Sequence, residues 1–151
     1  MECISSISYS ILINEVSYGL LQPLRGIRPG NPLLPYIFIL CMEVFSSFLT
    51  KESRFAKSGI QITICPKIVK IPCILFADDC LLFCMSNQQT CSTLKAILDK
   101  FCSLSGQLVN FHKSVITFSK NITAAQKYTV MGSFNIPQSQ SLGSYLGYPI
   151  F

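Results

Sequence analysis

Charge is scarce in this chain. Only 13% of its 151 residues are Asp, Glu, Lys or Arg, against 50% hydrophobic residues, and the mean hydropathy is +0.46. That balance is high for a free-standing soluble domain. It fits membrane association, or a core segment without its polar surroundings. Histidine is present only as His112, and none of the 8 cysteines forms a C-x-x-C pair. Structural zinc needs closely spaced thiolate and imidazole ligands, so no zinc site is expected. Met1-Glu2 opens without a basic segment, and Asn14 and Glu15 interrupt the first apolar stretch. A signal peptide, and with it a secreted disulfide framework, is therefore disfavoured. The expectation is an intracellular protein, nuclear or organellar, with reduced, buried thiols acting as small hydrophobes. No aspartate precedes Asp78, and there is no repeat, low-complexity tract or internal boundary. The chain reads as one domain or a piece of one.

What is present centres on Ile71-Pro72-Cys73-Ile74-Leu75-Phe76-Ala77-Asp78-Asp79-Cys80-Leu81-Leu82-Phe83-Cys84. Two short runs rich in Ile, Leu and Phe have the length of buried strands. Ala77-Asp78-Asp79-Cys80 falls where a tight turn would sit, which predicts a hairpin with both acids at its tip. Adjacent carboxylates walled in by hydrocarbon repel each other unless a cation lies between them. A hard divalent ion such as Mg²⁺ suits such oxygens. Ordinary turn chemistry accounts for the same two residues, because Asp favours turns.

Other elements follow from periodicity. Ile7, Tyr9, Ile11 and Ile13 alternate with serines, which predicts a half-buried strand. Asn14-Glu15 would turn it into a returning strand through Val16, Tyr18 and Leu20. Glu15 should strain that turn, since Glu resists positive φ. Gln22 to Pro35 reads as a loop rich in Pro and Gly, followed by a helix near Leu34 to Thr50. The stretch Leu33 to Leu49 is nearly all apolar, but Glu43 lies in its middle and Pro32 and Pro35 crowd its start. A spanning helix takes about 20 apolar residues, so a transmembrane span is not favoured. Gly59 to Ile64 alternates as a strand, with Pro66-Lys67 as its turn. Cys91, Leu94, Ile97, Leu98 and Phe101 predict an amphipathic helix from Asn87 or Thr90 to Ser105, stopped by Gly106. Val115 to Phe118 reads as a strand. Thr123 to Met131 reads as a helix ended by Gly132, and the tail from Gly143 reads as strand.

Phe76-Ala77-Asp78-Asp79 between apolar strands resembles the active-site motif of reverse transcriptases. The wider sequence resembles the enzyme of plant LINE-type (non-LTR) retrotransposons. Arg25-Gly26-Ile27-Arg28-Pro29-Gly30-Asn31-Pro32-Leu33-Leu34-Pro35 is similar to the family's glycine-containing loop and following helix. Ser105-Gly106-Gln107, Asn110-Phe111-His112-Lys113-Ser114 and Tyr145-Leu146-Gly147-Tyr148-Pro149 resemble its next blocks, in matching order.

The resemblance implies an α+β fold, the partial palm of a polymerase. Its antiparallel sheet would carry helices on one face, and residues 1–151 would form one domain lacking most of the fingers and the thumb. It implies RNA-templated DNA synthesis by two-metal nucleotidyl transfer, with Mg²⁺, an RNA template, a DNA primer and deoxynucleoside triphosphates. Asp78 and Asp79 would be catalytic metal ligands. Lys113 would stand near the leaving phosphates, and Arg25, Arg28, Gly30 and Asn31 would face template and nucleotide.

Several residues depart from the family pattern. Its upstream catalytic Asp has no counterpart here. Pro29 stands for Gln, Asn31 for Asp, Leu34 for Ser, and Glu15 for a turn Gly. The expectation is a chain that does not polymerise by itself. Two rivals stand beside it: a non-catalytic nucleic-acid-binding remnant with a mildly basic charge of +5, and a small membrane-associated protein built on Leu33 to Leu49.

Overall fold

The computed structural model of the chain describes residues 8–22, 30–55, 59–63, 70–139, 144–145 and 148–149. Its helices are α1 (Leu34–Ser53), α2 (Gln88–Ser105) and α3 (Ala124–Phe134). Its strands are β1 (Tyr9–Ile13), β2 (Val16–Leu21), β3 (Ile62–Thr63), β4 (Lys70–Ile71), β5 (Cys73–Phe76), β6 (Asp79–Leu82), β7 (Ser144–Tyr145) and β8 (Tyr148–Pro149). They pair in sequence order as four antiparallel two-stranded ribbons. Among the described residues the expected sheet is therefore divided. Each described strand pairs with the next or the preceding one in sequence, and no described strand pairs with a second partner.

The core lies between α1 and α2. Phe45, Leu49, Ile60, Leu94 and Phe101 are buried together, and the Phe45 and Phe101 ring centroids lie 4.7 Å apart. One face of β5–β6 leans on this cluster through Cys73, Leu75 and Leu82, while Ile74 and Phe76 on the other face stay exposed. That is the period-2 pattern of a ribbon covered on one side. By length and composition α1 could cross a membrane. Phe45 and Leu49 on that helix instead form the centre of the core.

Local chemistry sets the helix ends. Asn87 caps α2 by accepting from the Thr90 N–H, and Gly106 ends it at φ 71. Thr123 caps α3 in a reciprocal capping box with Gln126.

Some expectations change. The β1–β2 hairpin forms with Asn14 and Glu15 at φ 48 and 67, but its strands are exposed, not half-buried. Among the described residues no element buries either of its faces. The strand expected over 59–64 is confined to Ile62–Thr63, and residues 64–69, with the Pro66-Lys67 turn, lie outside the described residues. Val115 to Phe118 contributes only a parallel bridge from Ile116 to Gln138. α3 runs through Gly132 and ends at Asn135 (φ 53), because a single glycine weakens a helix without stopping it. Among the described residues the cysteines are free but not uniformly buried: Cys91 is, whereas Cys80 and Cys84 have exposed surface.

Candidate metal-binding hairpin

The β5–β6 ladder pairs Cys73 with Leu82, Ile74 with Leu81, Leu75 with Cys80 and Phe76 with Asp79. Only Ala77 and Asp78 form the loop. Such tight loops want positive φ, and Ala77 adopts it at φ 48. The tip thus falls one residue earlier than expected, on Ala77-Asp78 and not on Asp78-Asp79. Asp78 sits in the loop, and Asp79 is the first residue of β6. Both acids are exposed, so the expected hydrocarbon wall stops short of the tip. The strands are fixed from below instead. The Phe83 N–H donates to the Pro72 carbonyl at 3.0 Å, and the Met85 N–H donates to the Gly59 carbonyl at 2.8 Å.

Cysteines line the ribbon. Loss of solvation pushes the Cys80 thiol up to about 12, with Cys73 adding to the rise. Desolvation likewise pushes Cys84 up to about 11, with Cys91 adding to it. Burial raises Cys73 and Cys91, and hydrogen bonds with Ser46 and Ser133 respectively pull part of the way back. At neutral pH these are protonated thiols and poor nucleophiles.

Of the other expected site residues, Lys113, Gly30 and Asn31 are among the described residues. Lys113 lies exposed in a turn beyond α2, its backbone N–H donating to the Asn110 carbonyl and side-chain oxygen at 3.2 Å each. Gly30 is exposed at φ 83. The Asn31 side chain accepts from the Leu33 N–H at 2.9 Å, so it organises the entry to α1. Arg25 and Arg28 lie outside the described residues. A groove beside α3 was not anticipated. Its signal in the sequence was Gly132, a glycine inside a helical pattern.

Among the described residues no three His, Cys, Asp or Glu side chains gather where they could hold a metal ion. Asp78 and Asp79 offer one carboxylate edge. They do not make a two-ion cage, and no catalytic step follows from them alone.

This hairpin and the blocks around it lie within one continuous match to the reverse transcriptase family. The family's sequence model, described as reverse transcriptase (RNA-dependent DNA polymerase), matches residues 3–150, and the chain belongs to that family. A polymerase-like fold follows from that membership. An uncharacterized mitochondrial protein of Arabidopsis thaliana is similar to it, 41% identical over 69 residues, which cover 45% of this chain and 55% of that one. The chain spans about half the length of this curated relative. No solved structure matches it.

Proposed function

We propose that the chain is a palm segment of a LINE-type plant retrotransposon reverse transcriptase, and that these 151 residues do not polymerise alone. In this reading the parent enzyme copies an RNA template from a DNA primer, using deoxynucleoside triphosphates and Mg²⁺. Asp78 and Asp79 form one edge of its metal site, and Lys113 provides a cation for the leaving phosphates. Arg25, Arg28, Gly30 and Asn31 border the template and the nucleotide. The observation that carries the reading is the tight hairpin over Phe76-Ala77-Asp78-Asp79, inside a family match spanning nearly the whole chain. The proposed inactivity of these 151 residues rests on the sequence, in which no aspartate precedes Asp78. The mitochondrial relative makes mitochondria the first compartment to test.

The test has two arms. Titrating Mn²⁺ into the purified chain should broaden NMR signals at Ala77 to Cys80, weakly and reversibly, and Asp78→Ala should abolish this. Primer extension on an RNA template should give no product. Absence of any broadening at the tip would remove the metal edge. Template-dependent extension that Asp78→Ala abolishes would overturn the inactivity.

A further inference from the structure

Among the described residues, two apolar faces are left uncovered. The first belongs to the β1–β2 ribbon. Tyr9 pairs with Leu21, Ile11 with Tyr18 and Ile13 with Val16, so these six side chains share one face, while Leu12 and Ser17 pair on the other. Ile11, Ile13, Val16, Tyr18 and Leu21 are each more than half exposed.

The second face runs along α1. Leu33, Tyr36, Leu40 and Val44 follow one another at steps of three and four, with Ile39 beside them. Tyr36, Ile39 and Leu40 are 68%, 62% and 66% exposed. Phe45 and Leu49, on the opposite side of the same helix, are buried in the core. α1 is therefore apolar nearly all round, and such a helix belongs in an interior. Its buried side already carries one ribbon, β5–β6. A second ribbon with one apolar face is what its bare side lacks.

Charge narrows the choice of occupant. Over residues 8–22 and 30–50 the only charged residues are Glu15 and Glu43. Neither face offers a cation to a polyanion or to acidic lipid headgroups. Glu43 also lies on the exposed side of α1, and an acid there is costly inside any bilayer. An apolar protein surface fits both faces better.

Area sets the form of the contact. A half-exposed large apolar side chain hides on the order of 100 Å² when covered. Five on one face give about 500 Å² per copy, so ribbon on ribbon, or α1 on α1, would hide about 1,000 Å² in total, below the ~1,200–2,000 Å² of stable interfaces. Ribbon on helix, made twice about a two-fold axis, uses both faces of both copies and reaches about 2,000 Å².

We infer that the chain forms a two-fold homodimer in which β1–β2 of each copy lies over the exposed side of α1 of the other. α1 then sits between two ribbons, one from each copy. The dimer rests neither on the family nor on the Asp hairpin.

Sedimentation equilibrium of the full chain tests this. It should show a monomer–dimer equilibrium, and amides of β1–β2, unprotected in the dilute monomer, should exchange more slowly as dimer accumulates. Tyr18→Lys on the ribbon and Leu40→Glu on the helix should each weaken the dimer at least about tenfold. Both positions are exposed, so circular dichroism should show the fold retained. Tyr128→Lys, at an exposed tyrosine on neither face, should leave the dimer unchanged. Mixing the Tyr18→Lys and Leu40→Glu chains should restore dimers, because one ribbon–helix contact is then intact and the other brings Lys to Glu. The inference is overturned if the chain stays monomeric or aggregates without defined stoichiometry. It is overturned if either substitution leaves the dimer as tight as the parent's, or if the mixture associates no better than its components. Capture of the chain by neutral vesicles, relieved by Leu40→Glu, also overturns it, because lipid then covers α1. Asp78 lies on neither face, so a missing dimer leaves the hairpin reading standing, and a null Mn²⁺ titration leaves the dimer standing.

Discussion

Two hairpins in this chain share a design. β1–β2 and β5–β6 each join antiparallel strands through two loop residues, with positive φ at non-glycine positions. The first has the longer strands, five and six residues against four and four. Judged by its ladder alone it should be the sturdier. Yet Ile11, Ile13, Val16 and Tyr18 on one of its faces are all more than half exposed. The corresponding face of β5–β6 rests on Phe45 and Leu49. An isolated two-stranded ribbon is marginal in water, and a helix across one face changes that. The placement of Asp78 and Asp79 therefore derives from α1 and α2 more than from the pairing of β5 with β6.

Removing the support should break the contrast most strongly. Leu49 is fully buried, so Leu49→Ala should cost about 3 kcal/mol. Urea unfolding followed by circular dichroism measures it. Hydrogen exchange should show β5–β6 losing protection while β1–β2 stays as poorly protected as before.

Gly59→Ala comes next. Gly59 has φ 66, and a Cβ there would strike Thr90 Oγ1 and approach Met85 Cβ to 3.2 Å. Strain and displacement together should cost about 1–3 kcal/mol in the same urea assay. The chain leaving β6 would loosen with it, since Met85 is tied to Gly59.

A gentler comparison places glycine in each turn. Ala77→Gly and Glu15→Gly each remove up to about 1 kcal/mol of left-handed strain, part of which glycine's greater unfolded freedom offsets. Ala77→Gly should raise the global urea midpoint, because β5–β6 unfolds with the core. Glu15→Gly should slow exchange only within its own ribbon.

The smallest effect is alkaline, because Cys80 and Cys84 carry exposed surface and solvent screens much of their shift. Folded Cys80 and Cys84 hold their protons to about 12 and about 11, against 9.0 for an ordinary thiol. Above that ordinary value the unfolded chain releases protons that the folded one keeps. Stability from these thiols is complete below pH 9.0 and falls as pH rises toward 11 and 12. The urea midpoint should be lower at pH 10.5 than at pH 8, and less so in Cys80→Ser.

What the sequence made legible was mostly local. Asn87 and Gly106 announce the ends of α2 because capping involves only neighbouring residues. The Asp hairpin is legible because two apolar runs meet across a loop too short for anything else. The first strand's alternation tells which face of β1 seeks cover, but not whether any element lies there to provide it. Gly132 misled because a helix stops only where its last carbonyls find new partners, and Asn135 supplies that turn. The Val115 to Phe118 segment has strand composition, yet among the described residues it forms an isolated bridge at Ile116 and no strand. At the candidate site the acids and their hairpin could be read directly. The use of Asn31 at the entry to α1 could not, because its partner is a backbone N–H that the sequence does not display.

Ile116 makes two backbone bonds. Its N–H donates to the Pro137 carbonyl at 3.1 Å, and its carbonyl accepts from the Ser139 N–H at 2.8 Å. These two bonds close residues 117–136 into a lobe, and α3 within it is also held to α2 by the Ser133–Cys91 hydrogen bond and to the core by Phe134. Chain wound into such a closed lobe tends to swing loose as a unit, because releasing the neck frees the whole circuit at once. The neck of the lobe that carries the exposed Tyr128 is thus fastened at a residue twelve positions earlier in the chain.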